Sequence, residues 1–200
     1  MKVFSLAIGL VITLMAAVPG LYAQQHDFGI KGGLSPYTLT FTGSSDQVMR
    51  PRVHIGFMAR FHLHPEEAFY IQPELNYSLQ GARFKNSDRL ITLDYIQVPV
   101  LFQFEPAEGL LIQGGPVMSF LLTARSDSDG AAEDLSRKIH SRDFGLTIGA
   151  SYIFRPAGVG VDLRYNQGVR MISDNSDLRS RNRGFHIGVF YLFDFDNSRN

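Results

Sequence analysis

The feature that most constrains this chain is an alternation of apolar and polar residues between Phe69 and Leu79, where the sequence reads FYIQPELNYSL. Side chains of a β-strand point alternately to opposite faces, so this pattern separates an apolar row from a polar row. The apolar row holds Phe69, Ile71, Leu75, Tyr77 and Leu79, and the polar row holds Gln72, Glu74, Asn76 and Ser78. The pattern recurs along the chain, which is typical of a transmembrane β-barrel.

The first 23 residues have the form of a cleavable signal peptide. Lys2 precedes an apolar run over residues 3–18, and small residues up to Ala23 lead into Gln24 and Gln25. We expect cleavage after Ala23, which leaves one barrel domain over residues 24–200; a retained anchor helix is the alternative. The chain has no cysteine. Thiol lipidation, disulfides and cysteine-based metal sites or nucleophiles are therefore excluded.

The charge balance gives no reason to expect a nucleic-acid partner. Loss of the leader removes one lysine and leaves 18 basic and 19 acidic residues, so the mature chain has no large field of one sign. No later run of about 18 apolar residues predicts a membrane helix. A chain whose apolar residues alternate with polar ones would not be recognised by a channel that inserts helices. It could then reach an outer membrane.

Eight segments show the alternation, and strands of about ten residues are long enough to cross a hydrocarbon layer when tilted. We predict an all-β fold: an eight-stranded antiparallel up-and-down transmembrane β-barrel that follows a cleaved signal peptide, with the apolar rows outward. The predicted strands cover residues 28–39, 53–63, 69–79, 90–104, 110–122, 144–154, 159–165 and 185–193.

The connections between these segments alternate in length. The links over residues 64–68, 105–109 and 155–158 are short and contain proline, whereas those over 123–142 and 168–183 are long and polar. Outer-membrane barrels have short periplasmic turns and longer exterior loops, so we expect both termini in the periplasm of a Gram-negative-type bacterium. Aromatic residues at the strand ends predict two interfacial belts, one of Phe61, Phe69, Phe104, Phe154 and Phe193 and one of Tyr77, Phe120, Phe144, Tyr165 and Phe185.

Three phrases, in this order along the chain, carry a family resemblance: FGIKGG from Phe28, DYIQVPVL from Asp94 and the closing HIGVFYLF from His186. On these the mature chain resembles the PorT-like family of small outer-membrane β-barrels. The closing strand also resembles the signal that barrel-assembly machinery recognises in its clients, except that seven residues follow Phe193. The resemblance implies an outer-membrane location, outer-membrane lipid and the assembly machinery as partners, and a role linked to secretion or the cell envelope.

The inward rows place several charged residues in the lumen. An eight-stranded barrel is just wide enough for side chains to fill, so an open pore is not expected. Buried charges must be paired. We therefore predict a structural network of Lys31, Arg60, Glu74, Asp162 and Arg164, centred on Glu74, Arg60 and Arg164; a proton or ion path is the alternative role of these residues.

Two other groupings could carry chemistry. Glu133, His140, Ser141 and Asp143 occupy the longest predicted loop, but a mobile loop fixes no catalytic geometry. Inward His54, His62 and His186 could meet around a metal, although histidines on separate strands more often pack a lumen. We predict no catalytic residue, metal or cofactor.

Three classes of function remain open. The first is a non-enzymatic outer-membrane component that presents exterior loops to a partner. The second is a lipid-modifying outer-membrane enzyme. The third is a soluble lipocalin-like carrier, whose apolar residues would face inward. The resemblance favours the first class.

Overall fold

The computed structural model describes residues 26–41, 47–48, 52–63, 68–84, 90–128, 131–134, 142–169 and 180–193. Within these ranges the chain is almost entirely β-strand, and no helix is long and apolar enough to cross a membrane. The strands are β1 (His26–Leu34), β2 (Tyr37–Phe41), β3 (Gln47–Val48), β4 (Val53–His62), β5 (Phe69–Phe84), β6 (Leu90–Ala107), β7 (Leu110–Ser128), β8 (Ala131–Asp134), β9 (Arg142–Phe154), β10 (Val159–Gly168) and β11 (Ser180–Leu192).

All neighbouring strands are antiparallel, and the sheet closes on itself because β1 pairs with both β4 and β11. β2 continues the line of β1 and pairs with the start of β11. The wall therefore has eight positions, in the order β1 with β2, β4, β5, β6, β7, β9, β10 and β11. The prediction of an eight-stranded antiparallel barrel is confirmed. The leader lies outside the described residues.

The sequence predicts one strand over residues 28–39, whereas the structure has two strands, β1 and β2, at this wall position. Ser35 and Pro36 separate β1 from β2, because proline lacks the N–H that a continuous ladder requires. The break costs little pairing, since the N–H of Phe185 donates to the carbonyl of Pro36 at 3.1 Å and the N–H of Ser35 to that of Arg52 at 2.5 Å.

The apolar rows face outward and the polar rows face the lumen. Ile55, Ile148 and Val189 are 66%, 65% and 58% exposed, whereas Glu74 is 2% and Asn76 0% exposed. The predicted orientation is therefore correct on the wall strands whose side chains the structure describes. A carrier of the lipocalin type requires the opposite orientation, so the third class of function does not fit the structure.

A few outward side chains are nevertheless covered by their neighbours. Val98 and Phe120 are 3% and 4% exposed and pack against each other, with Leu75, Ile96 and Met118 around them. Their strand parity is that of the outward rows, so this cluster lies on the outside of β5–β7. The second predicted belt consequently includes one covered ring, Phe120.

The two ends of the barrel differ, and we name them by their connections. At the turn rim, tight turns join β6 to β7 and β9 to β10. They use Gly109 (φ 75°) and Gly158 (φ 63°), whose left-handed backbone suits glycine. The opposite end is the loop rim. Much of the predicted 123–142 loop is strand there, since β7 runs to Ser128 and pairs with β8.

Most belt residues lie on the outside near the two rims. Phe69 and Phe104 stack at the turn rim with ring centroids 5.0 Å apart. Tyr165 and Phe185 pack together towards the loop rim at 5.3 Å. Rings of this type prefer the boundary between hydrocarbon and water, so their positions mark the limits of an apolar band around the barrel.

Candidate functional site: the lumen

Four ionised side chains meet at mid-height of the lumen, and we call them the charged layer: Lys31, Glu74, Asp162 and Arg164. Glu74 Oε2 lies 2.8 Å from Arg164 Nη1 and 3.4 Å from Lys31 Nζ. Asp162 Oδ2 lies 3.1 Å from Lys31 Nζ and 2.8 Å from Arg164 Nε. All four side chains are at most 3% exposed. The layer balances two positive with two negative charges, which buried ions require.

Amide groups complete the coordination of Glu74. Gln72 Nε2 donates to Oε1 at 2.6 Å, and Asn76 Nδ2 donates to Oε2 at 2.9 Å. Both residues lie two positions from Glu74 on β5, so the period of the strand places them on the same lumen face. The carboxylate therefore receives hydrogen bonds from two amides and two cations, which repays part of its desolvation cost.

A chain of glutamines extends this network around the wall. Gln103 Nε2 donates to Gln72 Oε1 at 3.0 Å and to Gln113 Oε1 at 2.8 Å, and Gln113 Nε2 donates to Ser151 Oγ at 2.8 Å. These residues come from β5, β6, β7 and β9 in turn. Gln97 separately donates to Ser119 Oγ at 3.2 Å. The lumen wall is thus cross-linked by polar contacts between successive strands.

Towards the turn rim the lumen contents become apolar. Six buried side chains pack together there and form what we call the apolar plug: Met58, Tyr70, Leu111, Ile153, Phe190 and Leu192. Phe190 needs Gly160 beneath it, since a Cβ at that position would lie 2.2 Å from the ring. The plug fills the lumen on the turn side of the charged layer with side chains that are at most 5% exposed.

Arg60 lies apart from the charged layer, in contrast to the prediction. Its Nε and Nη2 donate to Asp27 Oδ2 at 3.0 and 2.5 Å, and its guanidinium lies 4.8 Å from the ring centre of Tyr70. Asp27 and Arg60 are register partners on β1 and β4. The reason is geometric, because Met58, the neighbour of Arg60 on the inward row of β4, is part of the apolar plug between Arg60 and Glu74.

A second polar cluster closes the turn rim, and we call it the turn clamp: Tyr70, Glu105 and Arg155. The hydroxyl of Tyr70 donates to Glu105 Oε2 at 2.7 Å, while the N–H of Gly109 donates to Oε1 at 2.7 Å and Arg155 pairs with the same oxygen. Partial burial opposes ionisation of Glu105, but these donors outweigh it and hold the pKa of Glu105 below its ordinary value. The clamp ties the β6–β7 turn to the β9–β10 turn.

The three inward histidines do not form a metal site. The rings of His54 and His186 stack at 4.4 Å, but His62 packs on Tyr70 at 4.3 Å near the turn rim. Within the described ranges, no three histidine or carboxylate side chains are grouped as metal ligands. His54 Nδ1 instead contacts Ser35 Oγ at 2.7 Å. Ser35 is 0% exposed, so no substrate reaches this hydroxyl from the described surface.

Of the four residues that the sequence grouped in the long loop, the structure describes two, Glu133 and Asp143. Asp143 is buried in the wall on β9, in register with Ser119. Glu133 pairs with Ser126 through the backbone of β8. His140 and Ser141 lie outside the described residues. Asp143, which was grouped with the loop residues from the sequence, is therefore a wall residue.

The outward apolar rows and the buried, paired charges inside together define a small transmembrane β-barrel whose lumen is occupied by side chains. The sequence comparison agrees: residues 22–174 match the model of the outer membrane protein β-barrel domain family. The chain belongs to this family, and its place is the outer membrane of a Gram-negative-type bacterium. No curated protein has a sequence that matches this chain.

Two solved structures show the likeness in fold. Neisserial surface protein A matches with a TM-score of 0.57 at 15% identity, over 83% of this chain and 97% of that one. Ail, the attachment invasion locus protein of Yersinia pestis, matches with a TM-score of 0.56 at 14% identity, over 84% and 99% of the two chains. At these identities the likeness concerns the barrel architecture.

Proposed function

We propose that this protein is a non-enzymatic, PorT-like component of the outer membrane that presents its loop rim to a partner in envelope assembly or secretion. The observation that carries the proposal is the filled lumen. On β5 the inward row runs from Tyr70 of the apolar plug through Gln72 of the amide chain to Glu74 of the charged layer. These buried side chains fill the lumen between the turn rim and mid-height, which argues against transport through the barrel. A barrel that passes nothing through its centre acts through its surfaces.

The loop rim offers a surface of this kind. β5, β6 and β7 contain 16, 18 and 19 residues, whereas about 9–11 residues suffice to cross a hydrocarbon layer. β3 pairs with β5 and β8 pairs with β7 beyond the outward apolar rows. The result is a sheet of five strands that extends past the apolar band on one side of the barrel, and this sheet supports the proposed contact with a partner.

The remaining parts of the proposal concern topology and assembly. The leader over residues 1–23 is removed on export, the turn rim and both termini face the periplasm, and barrel-assembly machinery inserts the chain through its closing strand. The closing strand supports this step, because His186 faces the lumen while Ile187, Val189 and Tyr191 face outward. Mass measurement of the purified protein tests the leader directly: the expected chain begins at Gln24.

Photo-crosslinking in intact cells tests the partner. A photoreactive residue at Ser128 or Ala131, where β7 ends and β8 begins, probes the loop rim, and one at Glu108 is the matched probe of the turn rim. We expect a discrete protein adduct from the loop positions that survives deletion of other abundant barrels. Absence of any loop adduct, or adducts from Glu108 alone, would overturn the proposed presentation of the loop rim.

The lipid profile of a deletion strain tests the non-enzymatic part. We expect the acylation pattern and headgroup composition of the outer-membrane lipids to remain unchanged when the gene is removed. A specific lipid species that disappears on deletion and returns on complementation would favour the lipid-modifying alternative instead.

A further inference from the structure

Two arginines differ from the other arginines whose side chains the structure describes. Arg60, Arg155 and Arg164 each form an ion pair with a carboxylate, and Arg52 also has an interaction partner. Arg142 and Arg183 are exposed, and within the described ranges neither forms an ion pair or a side-chain hydrogen bond. These two guanidinium groups are therefore available for an anionic ligand.

Both arginines stand on the outer face of the wall near the loop rim. Arg142 shares its row on β9 with exposed Phe144, and Arg183 shares its row on β11 with exposed Phe185. β10, the strand between them, ends at Gly168. From the strand spacings, the two Cα atoms are roughly 16 Å apart. The two positive charges thus lie at the boundary of the apolar band, on the same sector of the barrel.

An apolar groove lies below the arginines on the same strands. Its volume is about 650 Å³, and its outward lining includes Ala150, Val161, Leu163 and Ile187. The groove exists because Ala150 and Gly32 leave gaps in otherwise bulky outward rows. Arg183 and Ile187 are four residues apart on β11, which is about 13 Å along the strand. This distance lets the charge of Arg183 lie at the membrane surface while Ile187 lies in the hydrocarbon beneath it.

We propose that this sector binds a membrane lipid whose phosphate headgroup carries a net negative charge, with this headgroup on Arg142 and Arg183 and an acyl chain in the groove. Arginine forms strong charge-assisted hydrogen bonds with phosphate oxygens. A basic residue near a membrane surface attracts anionic lipid by about 1 kcal/mol. The groove lies between the aromatic belts, where an acyl chain is the neighbouring molecule, and its apolar lining matches that occupant.

A photoreactive lipid tests the site. The protein is folded into vesicles of unlabelled phosphatidylcholine. One set of vesicles contains a trace of phosphatidic acid with a diazirine-labelled acyl chain, and a second set contains a trace of phosphatidylcholine with the same labelled chain. Labelled peptides are then mapped by mass spectrometry. We expect phosphatidic acid to label the wall around Ala150, Leu163 and Ile187 more strongly than phosphatidylcholine does. The double variant Arg142→Gln/Arg183→Gln should reduce this preference by about fivefold or more.

Three comparisons make the test specific. Arg83→Gln with Arg125→Gln removes the same net charge from β5 and β7, on another sector of the wall, and should leave the preference intact. Ala150→Phe fills the groove and should lower labelling there by both lipids. Inorganic phosphate at matched ionic strength should not compete. Each variant keeps the lumen unchanged, so heat-modifiable migration on a gel verifies that it has folded.

Several results would overturn the proposal. Equal labelling by the two lipids in the unmodified protein would remove the role of the headgroup's net negative charge. An unchanged preference in Arg142→Gln/Arg183→Gln, or an equal loss in Arg83→Gln/Arg125→Gln, would remove the role of the two arginines. Specific competition by inorganic phosphate would assign the arginines to a free anion instead of a lipid.

Discussion

The charged layer and the apolar plug fill adjacent parts of one lumen by different interactions. In the charged layer, Lys31, Glu74, Asp162 and Arg164 have ionised partners from three strands at 2.8–3.4 Å. In the apolar plug, side chains such as Leu111 and Phe190 pack without directional contacts. When one member of a buried ion pair moves, the other loses the attraction that offsets its desolvation cost, whereas apolar packing tolerates small displacements. The difference implies that the charged layer fixes strand register and that the plug mainly excludes water.

Removal of Glu74 tests the charged layer and should have the largest effect. Glu74→Ala leaves Lys31 and Arg164 with one carboxylate between them, so we expect a loss of about 3–5 kcal/mol in the free energy of unfolding. Urea unfolding in lipid vesicles measures this loss, and the barrel should also lose its heat resistance in detergent. Glu108→Ala, on the exposed turn, is the control. Unchanged heat resistance of Glu74→Ala would argue against the network.

Truncation in the apolar plug should cost less. Leu111→Ala opens a cavity in the packed lumen, and we expect a loss of about 2–3 kcal/mol. Ile112→Ala removes a similar side chain from the adjacent outward position, which is 52% exposed to the membrane. This variant loses apolar contact with lipid but leaves no cavity, because acyl chains fill the space, so it should cost less than Leu111→Ala. The same unfolding experiment compares the two variants. Equal losses would contradict the assignment of Leu111 to the plug.

Gly188 and Gly32 lie at the seam where β11 pairs with β1 and closes the barrel, and they allow the lumen to be compared with the outer face. A Cβ at inward Gly188 would lie 2.9 Å from both Asp162 Oδ1 and the carbonyl oxygen of Gly32, whereas one at outward Gly32 meets only the carbonyl oxygen of His54, at 3.5 Å. We expect Gly188→Ala to destabilise the barrel by about 1–2 kcal/mol. Gly32→Ala should be nearly neutral, and a reversed order of the two melting temperatures would contradict the seam geometry.

The turn clamp should give the smallest effect and a dependence on pH. Because its donors lower the pKa of Glu105 in the folded state, ionised Glu105 adds stability above its ordinary pKa of 4.5, and that contribution disappears as pH falls through the lower folded pKa. Glu105→Gln should therefore cost about 1 kcal/mol at pH 7. The cost should shrink in acid, and a cost that grows as pH falls would contradict the clamp.

The sequence predicts the barrel because strand alternation is local. The outward rows of β4, β9 and β11 follow from the period of a strand alone. The breaks in pattern were harder to predict: β3 has two residues, and β8 interrupts a predicted loop. Neither segment is long enough to show a period. Their pairing with β5 and β7 depends on register, which the sequence of one strand does not contain.

The contents of the lumen were only partly predictable for the same reason. Parity places Lys31, Glu74, Asp162 and Arg164 inside, but it cannot tell which inward residues are neighbours. Arg60 therefore entered the predicted network although register pairs it with Asp27. The apolar plug was missed because its members stand on inward rows that are otherwise polar. Leu111, Ile153 and Leu192 all lie near strand ends at the turn rim, and this shared position was the available signal.

Oxygen accessibility along β11 tests the orientation of the wall most directly. Because the chain has no cysteine, single cysteines at positions 185–191 can each carry a nitroxide label in lipid vesicles. Electron paramagnetic resonance should then show high accessibility to dissolved oxygen at Phe185, Ile187, Val189 and Tyr191 and low accessibility at His186, Gly188 and Phe190. An oscillation of the opposite phase, or none, would contradict a barrel with an apolar exterior and a polar, filled lumen.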